Sequence, residues 1–246
     1  MRLLRITLYI LKNELRNRQA VIFSLLLPVA LLVLVGTTEK SEIGYLYPGI
    51  MAIAFGTMGL VGVSSQLTGY AESGVLKRIN ITDISVGMFI ILDYLTQVIF
   101  MCVQFVIITL VAKYGYNLKF SIDHKYLIYT VLEIFLAMIA LMSVGTLVAG
   151  LSRNVKTAST IGNSVMVIML FLGNTLFPSN GWPKWIVKTE KVLPMNTLTE
   201  SMRNTLIYNS QTMTKNLQEI LWSIVILVIC TVIGMILINR KINVGG

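Results

Sequence analysis

One stretch of the chain decides its fold class: residues 87–112 read GMFIILDYLTQVIFMCVQFVIITLVA. Asp93 is the only charged residue in it, and aliphatic and aromatic side chains dominate the remainder. A run of about 18 or more apolar residues with few charges is long enough to cross the ~30 Å hydrocarbon core of a bilayer. Because that core offers no water to bare backbone groups, such a run has to be helical. Residues 87–112 therefore predict a transmembrane helix.

Further apolar blocks of the same kind occur on both sides of this one. The whole sequence is 55% hydrophobic and 13% charged, with a mean hydropathy of +0.77, whereas a soluble domain has about 25% charged residues. We therefore expect an all-α integral membrane protein with one transmembrane domain over residues 1–246, and we exclude a soluble enzyme. The predicted spans are residues 20–37, 45–67, 87–112, 127–151, 157–176 and 219–239.

The first eighteen residues show a different pattern, in which an apolar stripe lies beside a polar and largely basic one. The apolar stripe is Leu4, Leu8, Leu11 and Leu15, and the polar stripe is Arg5, Tyr9, Lys12 and Arg16. This pattern is typical of a helix lying in the membrane interface with its basic face toward lipid phosphates. An ordinary extension of the first span is the alternative. The charges interrupt any signal-peptide core, so we do not expect a signal peptide.

The distribution of basic residues predicts the orientation and the partners. Residues 1–18 hold five basic residues and the first loop holds one, so the positive-inside rule predicts that both termini are cytoplasmic. The formal net charge of +9 is spread between apolar blocks, without a basic stripe interleaved with aromatics. That distribution argues against nucleic-acid binding and favours contact with anionic membrane lipids.

The inventory of reactive side chains is small. Cys102 and Cys230 lie inside apolar blocks, where we interpret them as free packing thiols, and His124, the only histidine, lies in a predicted loop. Neither a metal site nor a Cys–His nucleophile can be assembled from this set. We therefore expect no metal, no cofactor and no catalytic activity in this chain.

A polar segment after the second predicted span is the first candidate functional site. It contains Glu72, Gly74, Leu76, Lys77 and Arg78. A short amphipathic element of this kind could dock in a groove of a soluble partner while its apolar side rests on the membrane. A solvated loop that obeys the positive-inside rule explains the same residues. This stretch alone does not separate the two interpretations.

A second candidate segment lies between the fifth and sixth predicted spans. Three prolines divide it into short pieces, because proline lacks the helix donor and fixes φ. Tryptophan prefers the membrane interface, where its apolar body and its single N–H donor both find partners. The segment predicts a broken, partly re-entrant helix at the outer leaflet. Its key residues are Phe177, Pro178, Trp182, Pro183, Pro194 and Arg203.

Polar residues within the spans form the third candidate set, because charges in a bilayer are costly and are functional candidates by default. Asp93, Gln97 and Gln104 lie on nearly one face of the third span, and Glu133 lies early in the fourth. Antiparallel spans would put Asp93 near the cytoplasmic side and Glu133 near the outer side, so we do not expect them to pair. A proton or cation relay, interfacial snorkelling and hydrogen bonding to a neighbouring helix remain open explanations.

In order and spacing, these segments resemble those of the ABC-2 family of ABC-transporter permeases. That family carries a Glu-x-Gly-x-Leu-(charged)-Arg element after its second span, which Glu72–Arg78 matches. Its members often have a proline soon after this element, where the present chain has Asp83. A later set of family features is matched by Phe177-Pro178, Pro183, Leu193-Pro194 and Met202-Arg203. The resemblance covers essentially the whole chain.

The resemblance implies the membrane half of an exporter in a bacterial cytoplasmic membrane. Such a permease pairs with a second permease copy or a homologue and with two separate ABC ATPase subunits, which supply ATP and Mg. The Glu72–Arg78 element would be the coupling helix, and residues 178–194 would cap the translocation path. The chain has no Gly-Lys dipeptide and hence no G-x-x-x-x-G-K-[ST] phosphate loop of its own. For the cargo, we expect an amphipathic peptide or a hydrophobic drug.

Two other classes of protein are alternatives. A stand-alone secondary transporter or channel would use Asp93 and Glu133, but the sequence lacks the inverted repeats with broken helices that such transporters often show. An intramembrane enzyme would need a reactive constellation, and the predicted spans contain neither a histidine nor an obvious acidic dyad.

Overall fold

The computed structural model describes residues 2–16, 18–38, 42–81, 84–120, 124–176, 181–208 and 213–244, and within them all regular secondary structure is helical. The α-helices are α1 (Arg2–Arg16), α2 (Arg18–Thr38), α3 (Ile43–Gly56), α4 (Val63–Glu72), α5 (Val75–Asn80), α6 (Val86–Leu110), α7 (His124–Leu151), α8 (Val155–Leu172), α9 (Lys184–Glu190), α10 (Pro194–Met202) and α11 (Met213–Val244). π-Helical turns join α3 to α4 (Thr57–Gly62) and extend α6 (Val111–Gly115) and α10 (Arg203–Ile207).

Five helical stretches among the described residues are long and apolar enough to cross a membrane. They are Ile43–Glu72, Val86–Gly115, Ile128–Leu151, Val155–Leu172 and Ile220–Lys241. The expectation of an all-helical, multi-pass membrane protein is therefore confirmed. The first predicted span, residues 20–37, falls in α2, where the apolar stretch Ser24–Thr38 is shorter than the other five. The number of six spans therefore stays a prediction.

Some boundaries differ from those predicted. The second span continues past residue 67 to Glu72, because the helix itself accepts the hydrogen bonds of its hydroxyl groups. The Thr68 hydroxyl, for example, donates to the Ser64 carbonyl at 2.7 Å. The fifth span ends at Leu172 rather than residue 176, and Asn174 just beyond it has a φ of 49°. His124 is the first residue of α7 rather than a loop residue.

The bundle has a buried centre and an exposed periphery. In the most apolar part of Ile43–Glu72, 78% of the residues are buried, and in Ile128–Leu151 the share is 72%. The corresponding share is 22% in Val155–Leu172 and 11% in Ile220–Lys241. The second and fourth predicted spans therefore form the centre, and α8 and α11 present most of their surface outward.

Helix α1 packs against α6 and α2 with a face that includes Ile10, Leu11 and Glu14, of which only Leu11 belongs to a predicted stripe. Ile10 is 1% exposed and Glu14 is half-buried, whereas Leu8 and Leu15 are exposed. Ile10 and Glu14 are four residues apart and thus share one side of the helix. The outward leucines agree with contact to lipid, and the interfacial placement of α1 stays a prediction. The inward Glu14 brings a carboxylate to the bundle.

Candidate functional site

The segment from Glu72 to Arg78 forms a sharp turn followed by a short helix. Helix α4 ends at Glu72, and the Ser73 and Gly74 amides donate to the carbonyls of Gly69 and Ala71 at 2.9 and 3.2 Å. Gly74 has a φ of 72°, a left-handed conformation that glycine adopts without steric cost. The chain then turns into α5, whose first turn is closed by the Arg78 amide donating to the Gly74 carbonyl at 3.1 Å.

Helix α5 has one buried anchor and an exposed charged surface. Leu76 is fully buried and belongs to the main hydrophobic core, while Glu72, Lys77 and Arg78 are exposed. The helix contacts both α4 and α6. The structure thus brings the five predicted residues of this segment together in one element that is fixed to two spans and presents charge outward.

The second candidate segment is broken into short helices, as its prolines predicted. Pro183 directly precedes α9, and Pro194 is the first residue of α10, where a missing N–H costs nothing. Trp182 is half-buried, and α10 is almost wholly buried between α7 and α3. Phe177 and Pro178 lie outside the described residues. The placement of this segment at the outer leaflet stays a prediction.

Arg203, just after α10, joins three parts of the chain. Its Nε donates to the Tyr45 carbonyl at 3.1 Å, Nη1 to the Asn174 carbonyl at 2.7 Å and Nη2 to the Thr175 carbonyl at 2.7 Å. The guanidinium also lies 3.8 Å from the centre of the Tyr45 ring. Burial lowers the pKa of Arg203 from its usual range. Each of its three nitrogens nevertheless donates to a backbone carbonyl, as expected for a cation with a structural role.

Two further contacts complete what we call the Arg203 junction (Arg203, Tyr45, Asn174, Thr175 and Glu200). The Tyr45 hydroxyl donates to Asn174 Oδ1 at 2.9 Å, and Asn174 Nδ2 donates to Glu200 Oε1 at 3.1 Å. The junction ties the start of α3 to the residues after α8 and to α10.

The intramembrane polar residues separate into two environments. Glu133 on α7 accepts a hydrogen bond from Ser201 Oγ of α10 at 2.6 Å through Oε2. Gln104 on α6 donates to the Ser24 carbonyl of α2 at 2.7 Å. Asp93 is completely buried, and neither of its carboxylate oxygens has a hydrogen-bond partner among the described residues. Asp93 and Glu133 therefore have separate surroundings, and any transport role for them stays a prediction.

Gln97 connects α6 to α1 and α4. Its Nε2 donates to Glu14 Oε1 at 2.5 Å and to Gln66 Oε1 at 2.7 Å. Gln66 in turn donates to the Tyr70 hydroxyl at 2.9 Å. Asp93 is close enough to Glu14 for their charges to interact. We call Glu14, Gln66, Tyr70, Asp93 and Gln97 the Glu14 cluster.

Burial dominates the electrostatics of Glu14. It raises the pKa of this carboxyl to about 7. The hydrogen bonds with Gln97 and Gln66 lower the pKa, but by less than burial raises it. Glu14 Oε2 has no hydrogen-bond partner among the described residues. The protonation state of this carboxyl therefore changes near neutral pH rather than near pH 4.5.

A cavity of about 430 Å³ borders the Glu14 cluster. Its polar lining includes Glu14, Gln66 and Gln97, and its apolar lining includes Met58, Val61 and Phe100. The π-helical turn Thr57–Gly62 forms part of its wall, and π turns are frequent at functional sites. The volume lies in the range of about 300–1,000 Å³ typical of small-molecule sites.

Sequence reasoning missed Glu14 and Gln66 as candidates. In the sequence, Glu14 is one of the charges that interrupt a signal-peptide core, and nothing else about it stands out. Its spacing of four from Ile10 was the available signal, because the two share a helix face on which an acidic residue is unexpected. Within the described part of the chain, no group of three or more His, Cys, Asp and Glu side chains could hold a metal ion.

Comparison with known proteins identifies the family. The model of the family described as ABC-2 type transporter matches residues 3–207. ABC transporter G family member 20 of Dictyostelium discoideum is 22% identical over 172 residues. That match covers 70% of this chain and 23% of the relative, so the chain spans less than a quarter of its relative's length. ABC-2 permeases are transmembrane transport components rather than catalysts, and normally pair with an ABC ATPase. Because the family match takes in well over half of its residues, the chain belongs to the ABC-2 type transporter family.

Proposed function

We propose that this chain is the permease subunit of an ATP-driven exporter in a bacterial cytoplasmic membrane, with both termini in the cytoplasm. The observation that carries the proposal is α5, in a chain whose family normally works with an ABC ATPase. Leu76 is fully buried in the bundle, while Glu72, Lys77 and Arg78 are exposed. An element held by the membrane domain and charged on its free side suits docking to a soluble subunit.

In this proposal α5 transmits the closure of two ATPase subunits, which bind ATP and Mg. Because α5 contacts both α4 and α6, a displacement of α5 would move these two helices. Both helices line the cavity beside Glu14. The cavity would open alternately to the cytoplasmic and outer sides, and cargo would leave past the segment between α8 and α11.

A second permease copy or a homologue would cover α8. This helix presents Thr160, Asn163 and Ser164 outward. They donate to carbonyls of their own helix, as Asn163 Nδ2 does to Ser159 at 2.8 Å, but a polar stripe facing lipid remains unfavourable. Small and polar residues are typical of helix–helix interfaces in membranes. A dimer that buries this face would remove the stripe from lipid.

For the cargo, we propose an amphipathic or hydrophobic molecule, either a peptide or a drug. Much of the described outward surface is apolar, and the cavity has an apolar wall formed by Met58, Val61 and Phe100. A molecule that partitions into the bilayer could enter such a bundle laterally between helices.

The proposal is tested by purifying the tagged protein from its native membrane in mild detergent and identifying what co-purifies. We expect an ABC ATPase with wild type, and its loss or uncoupling in the double variant Glu72→Ala/Arg78→Ala. Arg153→Ala is the matched control, because Arg153 is an exposed basic residue on the same predicted side of the membrane. A protein that purifies alone and moves solute into liposomes without ATP would contradict the proposal.

A stand-alone secondary transporter is the second candidate, favoured by the buried Asp93, whose carboxylate has no hydrogen-bond partner in the described ranges. It predicts that Asp93→Asn or Glu133→Gln changes transport and its pH profile in the absence of ATP. The permease proposal predicts transport that depends on the ATPase in wild type and in both variants. Uptake assays in proteoliposomes with and without the ATPase separate the two.

A further inference from the structure

The cavity beside Glu14 has an unusual balance of charge. Two acidic residues, Glu14 on α1 and Asp93 on α6, lie close enough to interact, yet the cavity has no basic lining residue among the described ones. Lys12 and Arg16, the charged residues nearest to Glu14 on its own helix, are exposed. Two carboxylates that share a site repel each other unless a proton or a cation lies between them.

The carboxylates are also left without hydrogen bonds that ordinary burial would require. Among the described residues, neither oxygen of the completely buried Asp93 has a hydrogen-bond partner, and neither does Glu14 Oε2; of the two carboxyls, Glu14 lines the cavity. Buried polar groups are nearly always paired, so each exception needs an explanation. At Glu14 either a proton or a cation bound in the cavity would satisfy the carboxyl.

The rest of the lining fixes the chemical class of that cation. An inorganic divalent ion prefers six or more oxygen ligands, whereas Met58, Val61 and Phe100 give the cavity an apolar wall. The Gln66 and Gln97 amides are positioned by hydrogen bonds to each other and to Glu14. A site with one charged end and one apolar wall suits a ligand that has a charged group and an apolar body.

We propose that this cavity binds a monovalent organic cation with an apolar body. Glu14 is its counter-ion, and Gln66 and Gln97 are positioning residues. Asp93 supplies a second negative charge behind them. The inference rests on the proposed function in that the bound cation is the cargo of export. The binding itself requires neither the ATPase nor the second permease.

The experiment is equilibrium binding of tetraphenylphosphonium to the purified full-length permease in detergent. Tetraphenylborate, of nearly the same shape and opposite charge, is measured in a separate titration as the test of charge selectivity, because the two ions pair with each other in solution. We expect saturable binding of tetraphenylphosphonium and no comparable binding of tetraphenylborate. Glu14→Gln should weaken tetraphenylphosphonium binding about tenfold or more, since loss of a close opposite charge has effects of this size. Glu42→Gln is the matched control, because Glu42 is an exposed carboxylate at the other end of Ile43–Glu72.

A pH titration of wild type keeps the proposal testable if the Glu14→Gln protein does not fold. Because the pKa of Glu14 is about 7, tetraphenylphosphonium affinity should fall as the pH drops below that value and level off above it. Among the described residues, the other titratable groups that interact with Glu14 are Asp93 on α6 and Tyr70 on α4.

The outcomes separate the two proposals. Absence of saturable binding to wild type, equal binding by Glu14→Gln, or equally tight binding of tetraphenylborate in its own titration would each overturn the cation site. Any of these could be found while the ATPase still co-purifies, which would leave the proposed permease function intact. Conversely, charge-selective binding by a protein that transports without ATP would support the site and contradict the ATP-driven function.

Discussion

The Arg203 junction and the Glu14 cluster place buried charge at opposite ends of the same helical stretch, Ile43–Glu72. Tyr45 of the junction and Tyr70 of the cluster are separated by about 37 Å of helix at 1.5 Å per residue. At the junction every guanidinium nitrogen of Arg203 donates to a backbone carbonyl. In the cluster, Asp93 has no hydrogen-bond partner among the described residues, and one carboxylate oxygen of Glu14 likewise has none there.

This difference separates a site that holds the fold from a site prepared for a ligand. A buried charge with all of its hydrogen bonds made stabilises the surrounding backbone, whereas an unpartnered buried charge costs free energy that a ligand can recover. Glu133 lies between the two cases, because Ser201 satisfies one of its oxygens, while Oε1 has no partner within the described part of the chain. Substitutions at each of these sites should therefore have effects of different size.

The largest loss of stability is expected from Arg203→Leu. The change removes the donors to the carbonyls of Tyr45, Asn174 and Thr175, and buried acceptors left unpaired cost about 1–3 kcal/mol each. We expect a loss of about 3 kcal/mol or more in the free energy of unfolding, read as a lower melting temperature in detergent. Arg203→Lys should recover only part of it, because an ammonium lacks the planar fork.

Arg153→Leu is the control for Arg203, since it removes an exposed arginine and should leave the melting temperature nearly unchanged. Equal melting temperatures for Arg203→Leu and Arg153→Leu would contradict a structural role for the junction.

Gly49→Ala should have the next largest effect. A Cβ at Gly49 would lie 2.2 Å from the carbonyl oxygen of Thr175, which is backbone and is held by Arg203. Relief of the clash must shift α3 or the junction, at about 2 kcal/mol for overpacking of this kind. Gly56→Ala in the same helix is the control, because its nearest neighbour would be the flexible end of Met195 at 3.5 Å. Equal melting temperatures for the two variants would contradict the close approach of α3 to Thr175.

Ser201→Ala should cost about 1–2 kcal/mol, because it removes the hydrogen bond that Glu133 Oε2 accepts. Ser223→Ala provides a matched control in α11: Ser223 is equally buried, but its hydroxyl has no partner among the described residues. We expect the control to be neutral or slightly stabilising in the same melting assay. A larger loss from Ser223→Ala than from Ser201→Ala would contradict the contact to Glu133.

The sequence predicted the features that depend on local composition. Apolar length alone identified the five spans that the structure bears out. The glycine and charge pattern of Glu72–Arg78 singled out the segment that forms the end of α4 and the helix α5. Prolines correctly divided the segment that contains α9 and α10. Each of these depends on backbone preference or on transfer of apolar residues from water, both of which act at the residue itself.

The contacts between distant segments were out of reach of this reasoning. Nothing local to Arg203 indicates that its guanidinium meets carbonyls 28 and 158 residues away in sequence. The position of Glu14 likewise depends on which side of α1 packs against α6, and the leucine stripe favoured a different side. A single sequence gives the faces of each helix but not which neighbouring helix each face meets.

The smallest expected effect is a pH-dependent difference between Glu14→Gln and wild type. The folded state raises the pKa of Glu14 from 4.5 to about 7, so protonated Glu14 favours folding, and this contribution is lost as the pH rises through that interval. Glu14→Gln keeps an acceptor for Gln97 but cannot ionise. Its melting temperature should therefore be close to that of wild type below about pH 4.5 and higher than that of wild type at about pH 8. Asp93 and Tyr70 interact with Glu14, so the difference between the two melting curves reports the ionisation of Glu14 together with its coupling to these groups. A pH-independent difference, or one that favours wild type at high pH, would mean that this carboxylate is already paired, and the contrast with the Arg203 junction would disappear.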